Sequence, residues 1–250
     1  MPGTSHLFPF HLLHPDEDGD SGAMELAASK DDPLLRYVIK GKGTYPEIAC
    51  NEFMYHKVAA TLGLYTQGVK LIAGNQNYRR AAAIRYVPGA QKFRLDGSSE
   101  ENCRAYFEFE ALYVILNEED SHEYYLDGQG RMFKLDNAAS FNVEQATIMR
   151  FDGNPVGQLF VSDVSAPLHA VGYEWYGIKY KDFMERYGQA AVEAYLALIQ
   201  RFAALDETAL YEVYDSLNKQ YPMALGRYYD EFVRIRKETC RRFLGEIKGV

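Results

Sequence analysis

The chain has 250 residues, enough for one domain of two lobes or for two small domains. A hydrophobic fraction of 47% is that of an ordinary globular protein. A formal net charge of -8 argues against nucleic acid as a partner, because binding it without sequence preference needs a basic field. No apolar run approaches the ~18 residues of a membrane-spanning helix, so no membrane is expected either.

The opening "MPGTSHLFPFHLLHPDEDGD" carries a short apolar patch without a positive leader, so it does not read as a signal peptide. His6, His11 and His14 follow no regular period. Residues 1–20 therefore read as an N-terminal extension, flexible or loosely docked, rather than a metal site. Residues 22–40 predict a hairpin: "GAMELAAS" as one strand, "KDDP" as the turn and "LLRYVIK" as the next strand. Leu35, Tyr37 and Ile39 share one face of that second strand, and Arg36, Val38 and Lys40 the other. Gly22 and its small neighbours could form a tight turn whose N–H groups face a phosphate, a weak signal alone. "GKGT" at 41–44 lacks the spacing of a phosphate-binding P-loop.

"EIACNEFMYHKVAATLGL" predicts a helix with Ile48, Tyr55, Ala59 and Leu62 in helical register and Gly63 as its C-terminal cap. Glu52 falls on the apolar face, where a carboxylate is costly unless paired. Lys40 is the nearest cation in sequence that could meet it from a strand packed on the helix. A lysine so held would keep an ammonium at a fixed position for phosphate oxygens. The alternatives are a snorkelling surface lysine and a glutamate at the helix edge. "GVKLIAG" and "RRAAAIRYV" read as two strands around "NQNY".

Beyond Pro88 and Gly89 the pattern becomes mostly helical. Ser98 and Glu101 form a capping box for a helix to about Leu116. "EYYL" and "RMFKL" are short strands around the turn "DGQG". Residues 180–204 are an amphipathic helix, Asp206 caps another, Pro222 interrupts it, and 223–247 form the last. The fold class expected is α+β: a β-rich lobe over residues 21–90 and a mostly helical lobe over 91–250. Cys50, Cys103 and Cys240 have neither metal-type nor disulfide-type spacing, which fits a reducing, cytoplasmic setting.

Asp120 and His122 follow the helical run, and Asp136 follows "RMFKL". A hairpin between two carboxylates brings them near one another. One could accept a hydroxyl proton while the other binds Mg²⁺, or both could be solvated turn acids.

In order, the chain presents a glycine turn, a strand lysine, a helix glutamate, D-x-H, a strand and an aspartate. This order resembles the HipA-like kinases, within the wider protein-kinase and lipid-kinase-like fold, in the short form that lacks the additional N-terminal domain. "YVIKGKG", "NEFMYHKVAATLGL", "IRYVPG", "DSHEYYL" and "FKLDNAASF" carry the likeness, which covers about residues 20–145. The resemblance implies a two-lobed kinase using ATP and Mg²⁺ on a Ser or Thr hydroxyl of a protein. It implies that Lys40 binds the α- and β-phosphates with Glu52 as partner, and that backbone groups of Arg85, Tyr86 and Val87 meet adenine. Asp120 would be the catalytic base, Asp136 the Mg²⁺ ligand and His122 a support for the loop. One position departs: the asparagine of D-x-H-x-x-N is Tyr125 here. Glu123, Asn137 or Asn142 could supply the missing metal ligand. Otherwise the chain is a pseudokinase or interaction module with little transfer activity.

Overall fold

The computed structural model describes residues 10–19, 22–40, 46–73, 80–95, 99–118, 123–142, 180–220 and 225–247. Among these residues the chain divides into two compact units. The first lies within Met1–Lys57, Tyr65–Lys92 and Asp120–Ala139, and the second within Val58–Leu64, Phe93–Glu119 and Ser140–Val250.

The first unit is built on a five-stranded antiparallel sheet of β1 (Phe10–Gly19), β2 (Gly22–Ser29), β3 (Arg36–Lys40), β4 (Val69–Ala73) and β5 (Arg80–Arg85), in the order β1-β2-β3-β5-β4. The hairpin expected over 22–40 is the β2–β3 pair. Residues 10–19 are not a loose terminus: they form the edge strand β1, with register shifts either side of His14. Backbone pairing with β2 outweighs the weak period-2 signal of that segment.

β5 explains how a helix comes to lie close to the sheet. Ala81 and Ala83 join Ala27, Tyr37, Ile39 and Ile72 in one core cluster, while Ala82 and Ile84 pack with Ala49 in another. Ala49 belongs to α1 (Pro46–Thr61). Alanines on both faces leave room for backbone approach. Lys40 pairs with Ala82 and Val38 with Ile84, so the Lys40 face of β3 is the face turned toward α1. α1 ends as expected at Gly63, whose φ of +80° suits glycine. The N–H of Leu64 donates to the Ala59 carbonyl and that of Gly63 to the Ala60 carbonyl.

A second, three-stranded sheet in the same unit joins β6 (Gln91–Lys92), β7 (Tyr124–Leu126) and β8 (Met132–Lys134). β7 and β8 are the predicted hairpin. Its turn is organised by Asp127, whose Oδ1 accepts from the N–H groups of Gln129 and Arg131. β6, only two residues long, had no readable alternation.

The second unit is helical: α2 (Glu100–Ile115), α3 (Tyr180–Ala203), α4 (Thr208–Gln220) and α5 (Leu225–Ile247). α2 is capped by Ser99, which accepts from the Asn102 N–H, and Ser98 of the expected capping box lies outside the described residues. The first turn begins one residue later than the motif suggests, and Glu100 and Glu101 both sit in it, favoured by the helix dipole. α3 is broken at Gly188 (φ 77°, ψ 171°), which the apolar periodicity alone did not show. Asp206 caps α4 through the Thr208 N–H, as expected. Pro222 lies outside the described residues. Buried Arg236 donates to the carbonyls of Val114 and Ile115, satisfying the C-terminal end of α2.

α4 and α5 meet at Gly226, where a Cβ would lie 1.8 Å from the Tyr214 carbonyl oxygen. Backbone cannot yield as a side-chain tip can. Gly226→Ala is therefore expected to destabilise the chain by about 2–3 kcal/mol, read as a fall in urea midpoint. An unchanged midpoint would show that the two helices are not this close.

Candidate active site

Lys40 ends β3 buried, and its Nζ donates to Glu52 Oε1 at 2.7 Å and to Asp136 Oδ1 at 2.7 Å. The side chain of Glu52 is fully buried and that of Asp136 is 26% exposed, so one carboxylate anchors the ammonium and the other can meet solvent. β3 supplies the lysine, α1 the glutamate and the residues after β8 the aspartate. The helix also grips that last segment directly. Glu52 Oε1 accepts from the Asn137 N–H at 2.9 Å and Oε2 from Asn137 Nδ2 at 3.3 Å. Asn51 Nδ2 donates to the Ala138 carbonyl at 2.6 Å. Asp136 adopts a left-handed backbone, φ 56°, uncommon for a residue with a side chain.

Charge states follow from this packing. Burial opposes the Lys40 ammonium, but the charges of Glu52 and Asp136 and their hydrogen bonds outweigh it, and the lysine stays firmly protonated. Burial likewise opposes the Glu52 carboxylate, yet Lys40 and the Asn137 N–H hold it at about 2. His56, one turn further along α1, is pushed down to about 4 by burial, against the pull of Glu52 and with help from Lys40 and Lys134. Its Nε2 lies 3.8 Å from Glu52 Oε2. With the imidazole neutral, this is a dipole contact and not an ion pair.

The other predicted residues land as follows. Asp120 and His122 lie outside the described residues. Gly22 opens β2 opposite Gly19, at the end of the β1–β2 ladder. The three expected metal ligands each have a lysine partner. Asp136 meets Lys40, Glu123 pairs with Lys92 at 2.9 Å, and Asn137 Oδ1 accepts from Lys134 at 3.1 Å. Among the described residues no group of three His, Cys, Asp or Glu side chains is assembled. Asp136 alone fits Mg²⁺, which takes one or two carboxylates and completes its shell with water and phosphate oxygens. Asn137, expected as a metal ligand, has its side chain fully buried between Glu52 and Lys134, with its oxygen accepting from the ammonium. Tyr125 stacks on Phe133 at 6.0 Å between ring centroids.

Arg85, Tyr86 and Val87 line a cavity of about 790 Å³ with Tyr65, Gln67 and the turn at Asp127–Arg131. Lys40, Glu52 and Asp136 do not line it. Two of the backbone N–H groups are committed: Arg85 donates to the Gly68 carbonyl and Tyr86 to the Arg36 carbonyl. The Arg85 carbonyl accepts from Gln67 Nε2.

No family model and no curated protein matches the sequence. Among solved structures, the proinflammatory kinase CtkA of Helicobacter pylori superposes with a TM-score of 0.58 at 11% identity, over 90% of this chain and 92% of that one. The chain has a kinase-like fold. HipA of Shewanella oneidensis, solved with HipB and operator DNA, matches at a TM-score of 0.35 and 15% identity, over 100% of this chain and 68% of that one. The choline kinase LicA of Streptococcus pneumoniae matches at 0.30 and 13%, over 91% and 95%. The kinase-like fold agrees with the α+β class expected from the sequence, a β-sheet N-terminal region followed by a helical C-terminal one. No helix among the described residues is long and apolar enough to cross a membrane.

Sequence reading missed Asn51, His56 and Lys134 in this kinase-like frame. Asn51 and His56 flank Glu52 in α1, and a second polar side chain beside a buried charge was the available signal. Lys134 had none, since a lysine on a short strand reads as exposed.

His56 sets an acid limit on stability. Its folded-state pKa, about 4, lies below the ordinary 6.5, so unfolded chains take up the proton first as pH falls. The stabilisation is complete above the ordinary value and is lost as pH drops toward the folded one. Between pH 7 and pH 5 the loss should be about 2 kcal/mol. Both ring nitrogens are buried without a hydrogen-bond partner. His56→Phe should therefore fold normally at neutral pH and flatten the pH dependence of the urea midpoint. An equally steep profile in that variant would assign the acid sensitivity to other groups.

Proposed function

We propose that the chain is a kinase that binds ATP with Mg²⁺ and transfers a phosphoryl group to a Ser or Thr hydroxyl of a protein, in the cytoplasm. The observation that carries this reading is the buried Lys40 ammonium, fixed by Glu52 on one side and by the part-exposed Asp136 on the other. Phosphoryl transfer asks a protein chiefly for positioned charge, and a lysine locked between two carboxylates from different elements supplies it. In this reading Lys40 turns its ammonium to the α- and β-phosphates while Glu52 keeps it in place. Mg²⁺ held by Asp136 would neutralise charge on the phosphates. Asp120 would take the proton from the acceptor hydroxyl. Of the Arg85–Val87 amides, the Val87 N–H is the donor left for a base, since those of Arg85 and Tyr86 are engaged.

A second reading is a pseudokinase that binds nucleotide or a partner with little transfer. Tyr125, stacked on Phe133 where the resembling family has asparagine, favours it, as do Glu123 and Asn137, whose carboxylate and amide oxygens already meet lysines.

Millimolar ATP with Mg²⁺ should raise the melting temperature, and at about a hundred times Kd the gain is ~2.7 kcal/mol. Asp136→Asn should remove the Mg²⁺-dependent part of that gain. Absence of any shift in the wild-type chain would end both nucleotide readings. Transfer of labelled phosphate with Mg²⁺ or Mn²⁺ separates the two: the kinase labels a protein acceptor and loses this in Asp120→Asn without losing ATP binding.

Lys40 carries a separate expectation for stability. Lys40→Met strands the Glu52 charge in the core and should cost about 3–5 kcal/mol. Lys40→Met with Glu52→Gln should recover much of it and still not respond to ATP. Full nucleotide response in the double variant would remove Lys40 from the site.

A further inference from the structure

We infer that Lys134 is the positioning residue of this site: it clamps the backbone that presents Asp136. The inference rests on the kinase reading for its consequence, and on geometry alone for the clamp. Lys134 ends β8 with 2% of its surface exposed. Its Nζ donates to the Asp136 carbonyl at 2.6 Å, to Asn137 Oδ1 at 3.1 Å and to the Leu135 carbonyl at 3.3 Å. Two successive carbonyls thus turn inward onto one ammonium.

The peptide bond between Asp136 and Asn137 is held at both ends. Its carbonyl points to Lys134, and its N–H points to Glu52 Oε1 at 2.9 Å. A trans peptide has its C=O and N–H on opposite sides. A cation on one side and a carboxylate on the other therefore fix the plane. Fixing it sets ψ of Asp136 and φ of Asn137. The left-handed Asp136, a conformation that costs about 1–3 kcal/mol, persists because its surroundings over-determine it. The Asp136 carboxylate is then delivered to Lys40 at 2.7 Å. Glu52 serves both ends of the arrangement, as partner of Lys40 and as the second jaw on the peptide. Removing the ammonium would leave inward carbonyls without a donor and free the plane to rotate, carrying the Asp136 side chain away from its place.

The experiment uses the full chain with Lys134→Met, similar in length and without charge, and Lys134→Arg, which restores donors and charge. Exchange of the Asn137 amide is read by NMR, independently of any ligand. It should speed at least about tenfold in Lys134→Met, while β5 amides keep their protection. The Mg²⁺ concentration needed for half the ATP-dependent thermal shift should rise about 10–100-fold, with metal-free ATP binding little changed. Lys134→Arg should recover part of both. Unchanged Asn137 exchange in folded Lys134→Met would overturn the clamp, and so would equal losses of metal-free and metal-dependent binding, the mark of general damage. If Lys134→Met fails to fold, Lys134→Gln, which keeps a weak donor without the charge, decides by the same exchange measurement, a faster Asn137 amide supporting the clamp and an unchanged one refuting it. A wild-type chain that ignores ATP and Mg²⁺ would sink the kinase reading, and amide exchange would still decide the clamp.

Discussion

A buried ammonium must be matched by negative charge, and Lys40 is matched twice. Desolvating a lysine at the end of β3 is tolerable only because Glu52 and Asp136 both reach its Nζ at 2.7 Å. That requirement organises the first unit. α1 has to lie against the Lys40 face of the sheet, which the alanines of β5 permit. The segment after β8 has to return to α1, which Asn51 and Glu52 enforce through Ala138 and Asn137.

The network is balanced as well as paired. Lys40 meets the carboxylates of Glu52 and Asp136 and Lys134 meets the Asp136 carbonyl, while His56 stays neutral beside Glu52. The two cations differ in their partners, since Lys40 meets two carboxylates and Lys134 two backbone carbonyls and an amide oxygen. The carboxylates divide in the same way, Glu52 fully buried and structural, Asp136 part-exposed and able to meet a ligand. On the proposed kinase reading, one open carboxylate and one anchored ammonium would leave room for a metal ion to complete its shell with phosphate oxygens and water.

The second unit solves a parallel problem with different means. Arg236, 1% exposed, binds carbonyl oxygens at the end of α2. Burial lowers its pKa to about 10, still well above neutrality. Carbonyls at a helix C-terminus are favourable partners for a guanidinium. Both units place buried cations where chain segments are held together, and in the second Lys237 also joins the Leu205 carbonyl to the part-exposed Glu207.

The sequence by itself determined the β2–β3 hairpin, α1 and its glycine cap, the β7–β8 hairpin and the last helices, because turn chemistry and apolar period are local. It also singled out Lys40 with Glu52, since a carboxylate on an apolar helix face demands a partner. Tertiary structure alone decided that residues 10–19 pair as an edge strand, because pairing energy comes from β2 and not from their own pattern. It decided that Asn137 turns its oxygen to Lys134 and that Glu123 turns to Lys92, because a long side chain chooses its partner through space. It decided above all the burial of Lys134. A lysine on a three-residue strand has no periodicity to betray it, and the oxygens folded back over it help make the interior a favourable place for its charge.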